Sequence, residues 1–390
     1  MSRADDLVDA CRAIDPEPIA DLTLELLRIW SPPGDERQMA DRTAAALAEA
    51  GARVRLDEAF EGSPSVIAEL GADTGPTLQW HGHLDAIAVE HEPAHRDGDL
   101  LVGRGAADMK GPLAAMIAAA GLLRDHGMPE RGRVLITFHG RHESGGNEPL
   151  HELIERGIHG DAVITGELGG GMELPVGGLG LTFWEVAVER SGMAVHETLV
   201  QPDMVDPVEV GRAVHAALAD LRERLAARPG PKPGPSLFIG RFTAGDYYNR
   251  LPTRAVLQGT RRHDLDESLA GVEAELRALI DEVARSTGVP IEIIVTPIAE
   301  AFDVDPADPL VRAMRTAHRE LWGNELELVR SRVATNAVHF VQEAGIPAVG
   351  YGPDHATNHS DHEVLPIQEL SRIAGGYALA TARWLDEVCG

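Results

Sequence analysis

The first half of the chain alternates between helical patterns and short apolar runs. Between about residues 18 and 185, the apolar runs include SVIAEL, TLQWHGHLD, VLITFHGRHE and DAVITGE, and they end at Gly, His, Asp or Glu. Helical segments between short buried strands are typical of an α/β domain, so we predict a mixed, mostly parallel sheet flanked by helices. Such sheets bind ligands beyond the carboxyl ends of their strands, and we expect the chemistry of the protein at these polar run ends.

The pattern changes near residue 180. A strand-like run, LTFWEVAVER, precedes an amphipathic helix over 206–227, and the runs SLFIGRF and RAVLQGTRR lead to a second amphipathic helix and a last strand, IEIIV. The order βαββαβ is that of a ferredoxin-like unit. We therefore predict an inserted domain over 180–298 and a discontinuous main domain over 1–179 and 299–390.

One segment is almost wholly apolar. MKGPLAAMIAAAGLLRDHG predicts a helix with Pro112 in its first turn and Gly127 as its stop, and we expect it to be buried against the sheet. We see no stretch of about 18 apolar residues of the kind that spans a membrane. The segment MSRADDLVDACRAIDPEP carries acids where a secretory signal would carry a basic and then an apolar run. The sequence therefore disfavours secretion and a membrane partner.

Charge and cysteine content narrow the function classes. The chain has 62 acidic and 35 basic residues, which give a formal net charge of −27, and it has no polybasic block that could neutralise phosphates. We therefore expect no nucleic-acid partner. Cys11 and Cys389 lie near opposite ends and form no metal-type spacing, which indicates a reducing compartment and a cytoplasmic location.

Candidate metal ligands stand at the ends of the predicted strands or in the loops after them. They are His83 in HGHLD, Asp108 in GRGAADMKG, Glu143 in RHESGG, Glu167 in ITGEL and His359 in NHSDHE. Two imidazoles and three carboxylates suit a pair of divalent ions, Zn²⁺ above all but also Co²⁺ or Mn²⁺, with one carboxylate as a bridge. Asp85 follows His83 by two residues, where it is placed to fix the tautomer of that imidazole.

Four motifs together resemble those of the di-zinc aminoacylase, carboxypeptidase G and succinyl-diaminopimelate desuccinylase family of metallopeptidases. They are GHLD at 82–85, GRGAADMKG at 103–111, ESGG at 143–146 and HSDHE at 359–363. The resemblance covers nearly the whole chain, including the inserted βαββαβ domain, which in that family is a lid and a dimerisation surface. It implies a zinc-peptidase-like main domain, a homodimer formed through the lid domain, and a small amide or amino-acid-derived substrate.

The resemblance also implies which residue binds which ion. Carried over residue by residue, it assigns His83, Asp108 and Glu167 to one metal ion. It assigns Asp108, Glu143 and His359 to the other, so that Asp108 is the bridge. A dinuclear centre in the main domain is therefore expected.

The inserted domain carries three further candidates. SGMAVHET resembles the family's Gly-x-x-x-His stretch, which implies that His196 reaches the active site of a partner subunit and stabilises the developing oxyanion. NRLP followed by LQGTRR resembles the family's Asn-x-x-Pro strand pair, and the count from Asn249 favours Arg262 over Arg261 as the side chain that holds a substrate carboxylate. The alternative for His196 and Arg262 is an ordinary exposed side chain.

The sequence departs from the family at His142. Hydrolytic members read Asp-Glu-Glu before x-Gly-Gly, and the first Glu takes a proton from water and later protonates the leaving amine. These positions are Arg141, His142 and Glu143 here, and Asn336 stands where an aspartate is usual. Histidine, with an unperturbed pKa of about 6.5, is a competent general base. A pair of dications and Arg141 are expected to lower that pKa.

Three functions are compatible with this pattern. The first is a metal-dependent amidohydrolase that cleaves an N-acyl amino acid or small peptide-like amide through metal-bound hydroxide, with His142 as an adapted base. The second is a non-hydrolytic enzyme that uses the same two ions for amide formation or acyl transfer, because water is no longer activated. The third is a metal-binding protein whose catalysis has lapsed. The retained Asp85, His196, Asn249 and Arg262 disfavour the third.

Overall fold

The computed structural model describes residues 3–126, 131–230 and 232–389, so Gly127, the predicted helix stop, lies outside the described residues. The described chain forms two compact units. Unit 1 comprises Met1–Gly177, Val304–Val329 and Thr335–Gly390, and unit 2 comprises Gly178–Asp303 and Arg330–Ala334.

The units differ from the predicted domains in three places. Residues 178–179, 299–303 and 330–334 belong to unit 2 and not to the main domain. The last long strand of unit 2 runs from Ile291 to Ala299, well beyond IEIIV, and the backbone N–H of Leu179 donates to the carbonyl of Ser331. These extensions lack a continuous apolar pattern, so hydrophobicity alone does not indicate them.

The helices, numbered in chain order, are α1 Arg3–Arg12, α2 Pro16–Leu27, α3 Arg37–Glu49, α4 Gly111–His126, α5 Glu148–Glu155, α6 Pro207–Ala226, α7 Leu269–Thr287, α8 Pro309–Trp322, α9 Ala337–His339 and α10 Ile367–Cys389. A turn, Ala106–Lys110, whose backbone is non-helical at Asp108 and Met109, precedes α4, and a π-helical turn, Phe340–Ala344, continues α9. The strands are β1 Arg53–Asp57, β2 Ser65–Gly71, β3 Thr77–His83, β4 His95–Asp97, β5 Leu100–Val102, β6 Arg133–His139, β7 Ala162–Thr165, β8 Glu173–Gly178, β9 Gly180–Glu189, β10 Val195–His196, β11 Ser236–Ala244, β12 Arg250–Leu251, β13 Arg254–His263, β14 Ile291–Ala299, β15 Phe302–Asp303, β16 Glu327–Ser331, β17 Ala348–Gly350 and β18 Val364–Pro366.

A sheet at the centre of unit 1 carries the functional site. Its strands, within the described part of the chain, follow the order β1-β2-β6-β3-β7-β17. The pairs β6-β3, β3-β7 and β7-β17 are parallel, whereas β1-β2 and β2-β6 are antiparallel. β3 is buried along its whole length, as expected for a strand covered on both faces. The predicted mixed, mostly parallel sheet is confirmed.

The apolar segment around α4 lies in the core of unit 1. By length and composition alone, Ala106–His126 could cross a membrane. This finding corrects the prediction that the sequence has no apolar stretch of that length. Most of this segment is buried in the protein, and α4 packs against α2 and α10. A helix that is apolar all round is ordinary in the core of a large domain.

Unit 2 has its own sheet and core. Its described strands pair antiparallel in the order β11-β13-β9-β14. Together with α6 and α7 they follow the chain order βαββαβ. The predicted apolar face of α6 is buried against this sheet, and it consists of Val210, Val214, Leu218, Leu221 and Leu225.

Candidate metal centre

Three parallel strands of unit 1 bring most of the candidate ligands to one edge of the sheet. β3 ends at His83, β6 ends four residues before Glu143, and β7 ends two residues before Glu167. Because β3 pairs in parallel with both β6 and β7, the side chains that follow these strand ends lie side by side.

Asp108 reaches the same edge on the turn Ala106–Lys110. Two glycines at the strand ends leave space for this turn, because a Cβ at Gly82 or at Gly166 would clash with Cε of Met109. The glycines of GHLD and ITGEL therefore serve the close approach of the Asp108 turn to the sheet.

The buried carboxylate of Glu363 fixes the backbone of this turn. It accepts hydrogen bonds from the N–H groups of Gly105, Ala107 and Asp108 at 3.0, 3.1 and 3.2 Å. Arg104 pairs with the same carboxylate at 3.0 Å. The last residue of HSDHE thus orients the GRGAADMKG loop, a role that no local sequence motif indicates.

Asp108 places its two carboxylate oxygens against two different histidines. Oδ1 lies 3.0 Å from Nε2 of His83, and Oδ2 lies 3.4 Å from Nε2 of His359. Oε1 of Glu167 is 3.8 Å from the same nitrogen of His83, and Oε1 of Glu143 is 3.2 Å from that of His359. Donors that each bind one ion at about 2.0–2.2 Å lie roughly 3–3.5 Å apart. These residues therefore fit two divalent ions with Asp108 between them.

The carboxylates of the cluster raise the pKa of both histidines. Burial lowers the pKa of His83, but the nearby carboxylates of Asp108 and Asp85 outweigh it and raise this pKa well above its ordinary value. Hydrogen bonds with Asp108 and Glu143 raise the pKa of His359 to about 10. The protein side chains alone therefore favour the protonated form of both imidazoles.

Binding of divalent ions is accordingly expected to release protons. An imidazole must lose its proton before it binds a metal ion, so metal affinity should rise with pH until the pKa of His359, about 10, is passed. Calorimetry of Zn²⁺ binding near pH 7, in buffers of different ionisation enthalpy, measures the number of protons released. We expect a clear release, and a heat of binding that is independent of the buffer would contradict this charge distribution.

Asp85 holds two parts of the site. Its main-chain carbonyl oxygen is 2.9 Å from Nδ1 of His83, whereas its carboxylate is 3.6 Å from that nitrogen. The carboxylate instead accepts hydrogen bonds from the backbone N–H groups of His142 and Glu143, at 3.2 and 2.8 Å. The sequence predicts that the side chain of Asp85 fixes the tautomer of His83. In the structure the main-chain carbonyl of Asp85 lies nearest to that imidazole, because the carboxylate binds the backbone of residues 142–143.

His142 lies against the ligands on the His83 side. Its ring stacks on His83 with the ring centres 4.2 Å apart, and its Nε2 is 3.2 Å from Oε1 of Glu167. Burial and His83 lower the pKa of His142, but Glu167 outweighs them and raises it to about 9. Arg141, which was expected to lower this pKa, instead places its guanidinium 5.1 Å from the ring centre of Phe60. Together the protein side chains therefore raise the pKa of His142, whereas Arg141 is predicted from the sequence to lower it.

A buried chain of polar groups fixes the orientation of His142. Nδ1 of His139 lies 2.7 Å from the carbonyl oxygen of Gly140 and donates to it, so Nε2 of His139 accepts from the amide of Asn336 at 2.9 Å. The amide oxygen of Asn336 then faces Nδ1 of His142 at 3.0 Å, and Asn147 presents a second amide oxygen at 3.1 Å. Amide oxygens only accept, so Nδ1 of His142 carries a hydrogen and Nε2 faces the ligands.

Unit 2 contains the three remaining candidates. Nδ2 of Asn249 lies 3.1 Å from Nε2 of His196 at the surface of the unit. The two neighbouring arginines differ, since Arg261 is buried and pairs with Glu267 at 2.5 Å. Nη1 of Arg262, by contrast, has no hydrogen-bond partner among the described residues. Of this pair, Arg262 retains donor capacity for a ligand.

The comparisons with known proteins agree on one family. Residues 80–382 match the model of peptidase family M20/M25/M40. A succinyl-diaminopimelate desuccinylase from Rhodospirillum centenum is 26% identical over 392 residues, which cover 95% of this chain and 97% of that protein.

Two solved structures are similar along nearly the whole chain. A tripeptidase from Staphylococcus aureus has a TM-score of 0.80 at 18% identity and covers 96% of this chain and 99% of its own. A dinuclear metal-binding peptidase of family M20 from Bacillus subtilis has a TM-score of 0.70 at 17% identity, with coverages of 95% and 98%. Both share the fold described above. Since the family match extends over residues 80–382 of 390, this protein belongs to peptidase family M20/M25/M40, metal-dependent hydrolases of amide bonds that hold two divalent ions.

Proposed function

We propose that this protein hydrolyses the amide bond of an N-acyl amino acid or a small peptide-like substrate. The observation that carries the proposal is the division of one carboxylate between two histidines, with Asp108 Oδ1 3.0 Å from His83 and Oδ2 3.4 Å from His359. Two of the similar proteins are named a succinyl-diaminopimelate desuccinylase and a tripeptidase. These names support a small amide as the substrate class.

The ligands in this proposal are His83, Asp108 and Glu167 for one ion, and Asp108, Glu143 and His359 for the other. Two ions bound there supply Lewis acidity, which polarises the scissile carbonyl and activates water. The chain supplies rigid placement, because Glu363 fixes the backbone of Asp108 and the Asp85 carboxylate fixes that of Glu143. Well-held ligands of this kind are what preorganised catalysis requires.

His142 takes the general-base position in this proposal. Its Nδ1–H is held by the amide oxygens of Asn336 and Asn147, at 3.0 and 3.1 Å. Two bound ions would oppose the effect of Glu167 and lower the pKa of His142, and the neutral imidazole would then present the lone pair of Nε2 towards the ligand cluster. At Nε2 it takes a proton from the attacking water and later delivers one to the leaving amine.

We further propose that unit 2 is a lid and dimerisation domain. In this proposal His196 of the partner subunit, oriented by Asn249, stabilises the developing oxyanion. Three apolar side chains of the unit 2 sheet are exposed: Phe183 at 41%, Phe238 at 63% and Ile294 at 52%. They alternate along their strands with residues of the unit 2 core, so they lie on the opposite face of the sheet. An exposed apolar face of this kind supports a dimer.

Arg262 binds the substrate carboxylate in this proposal. Arg262→Lys is expected to raise KM about tenfold with little change in kcat, because lysine cannot form the paired hydrogen bonds of a guanidinium with a carboxylate. The matched control is Arg261→Lys, which should lower the melting temperature and leave KM near the wild-type value, since Arg261 pairs within its own unit. Equal effects of the two substitutions on KM would contradict this assignment.

Hydrolysis itself is tested with zinc-loaded protein on a panel of N-acyl amino acids and dipeptides. We expect turnover of at least one substrate class, loss of turnover on chelation, and recovery when Zn²⁺ is returned. Retention of divalent ions without any hydrolysis across the panel would count against the proposal.

A second candidate function is the formation of an amide or the transfer of an acyl group at the same two ions. The observation that favours it is that donor atoms of His83, His142 and Glu167 lie within 4.8 Å of one another. If His142 binds an ion beside these ligands, its own imidazole can no longer accept a proton from water. An amine acceptor added to the assay separates the candidates, since transfer gives a new amide and hydrolysis gives a free acid. A lapsed binding protein gives neither product.

A further inference from the structure

A second cluster of metal-binding side chains lies in unit 1, apart from the residues assigned to the dinuclear centre. Nδ1 of His151 is 2.8 Å from Oε2 of Glu343, and Nδ1 of His339 is 2.8 Å from Oε1 of the same carboxylate. The two imidazole rings are nearly perpendicular, with their centres 4.6 Å apart. One donor atom from each residue lies within 4.8 Å of the other two. One carboxylate is thus shared between two converging imidazoles.

The donor types and distances suit a single divalent ion. Two imidazoles and a carboxylate are a common zinc ligand set that leaves a position for water. Nitrogen and oxygen donors at about 2.0–2.2 Å from one ion are roughly 3 Å apart, and both His–Glu distances are 2.8 Å. His339 and Glu343 stand one helical turn apart, so they project from the same side of their segment.

The surroundings of the cluster also suit metal binding. The side chains of His151 and Glu343 are 34% and 35% exposed, which leaves a path for an ion, while that of His339 is 8% exposed. Burial lowers the pKa of His339, whereas the hydrogen bond with Glu343 raises the pKa of His151, so His339 is the imidazole that favours the neutral form that binds metal. We propose that His151, His339 and Glu343 form a third cation site, specific for a divalent ion of the zinc class.

The position of this site suggests what it does. His151 belongs to α5, whose N-cap is Asn147, and His339 ends α9, whose N-cap is Asn336. Backbone hydrogen bonds of 3.0 and 3.1 Å join His151 to Asn147 and His339 to Asn336. These asparagines present the two amide oxygens that face Nδ1 of His142. An ion in the third site therefore connects the two helices that position His142.

Zinc content measures the proposal directly. Wild-type protein, Glu343→Gln and His151→Asn are equilibrated with Zn²⁺ alone, desalted, and analysed for zinc per chain by mass spectrometry. The matched control is Glu92→Gln, which removes the carboxylate from an exposed pair with His362, also 2.8 Å long but with a single histidine. We expect wild type and Glu92→Gln to retain one zinc more per chain than Glu343→Gln and His151→Asn.

The experiment measures a difference of one zinc ion per chain between the proteins. It therefore reports on the third site independently of the number of ions in the dinuclear centre and of the reaction that occurs there. Equal zinc content in all four proteins would overturn the proposal and leave the cluster as an ion-pair network. If the substituted proteins fail to fold, wild-type crystals soaked in Zn²⁺ decide the question by anomalous diffraction at the zinc edge. A peak between the two Nδ1 atoms and the Glu343 carboxylate is expected, and a map without this peak would also overturn the proposal.

Discussion

Substitution of Asp108 by Asn is expected to reduce kcat/KM by about a thousandfold or more and to remove metal from the dinuclear centre. The two oxygens of Asp108 face His83 at 3.0 Å and His359 at 3.4 Å, so the loss of one anionic oxygen weakens both sides of the centre. A metal ion contributes several kcal/mol of transition-state stabilisation, which corresponds to about three powers of ten in rate. The measurement is kcat/KM on the best substrate of the panel, together with metal content.

The matched control for this prediction is Asp73→Asn at a side chain that is 91% exposed. It makes the same chemical change outside the candidate centre and should leave activity and metal content unchanged. Near-normal turnover of Asp108→Asn with its metal retained would contradict the assignment of Asp108 as the bridge.

Substitution of His142 by Gln is expected to lower kcat by about a hundredfold to ten-thousandfold, the range for loss of a general acid-base group. Glutamine can still contact Asn336 but cannot exchange a proton near neutral pH. Because the five proposed ligands remain, the metal content should stay at the wild-type value. Loss of metal together with activity would instead indicate that His142 is itself a ligand.

His142→Glu gives the complementary result. A carboxylate at this position is what the resemblance to hydrolytic relatives implies, so the variant should remain active with a changed pH profile. An inert wild type combined with an active His142→Glu would instead favour the non-hydrolytic candidate, in which the base has been removed to suppress attack by water.

The fold could be predicted because its signals are local. Apolar runs of strand length alternate with helical periods in unit 1, and the buried residues of α6 recur at helical spacing in unit 2. The boundaries of unit 2 could not be predicted in the same way. The part of β14 beyond IEIIV, residues 296–299, has two exposed positions followed by a part-buried and a buried one, so it shows no strand alternation and its length depends on pairing with β9.

The sequence predicts the ligands of the candidate centre but not the groups that position them. The five proposed ligands follow strand ends or stand in short motifs, and the structure places them in one cluster. The groups that position them leave no local pattern. The Glu363 carboxylate bonds to the Asp108 backbone across 255 positions of the chain, and the Asn336 amide bonds to His142 across 194. Contacts of this kind arise only when distant segments fold together.

The proposed reaction is hydrolysis at a centre bridged by Asp108, with His142 as the base. Turnover in ¹⁸O-labelled water, with an added amine acceptor, tests it most directly when zinc-loaded wild type and His142→Gln are compared. We expect one ¹⁸O atom in the new carboxylate of the acyl product, formed at least about a hundredfold more slowly by the variant. Formation of the acceptor amide without labelled acid, or equal rates of labelling in the two proteins, would contradict the claim.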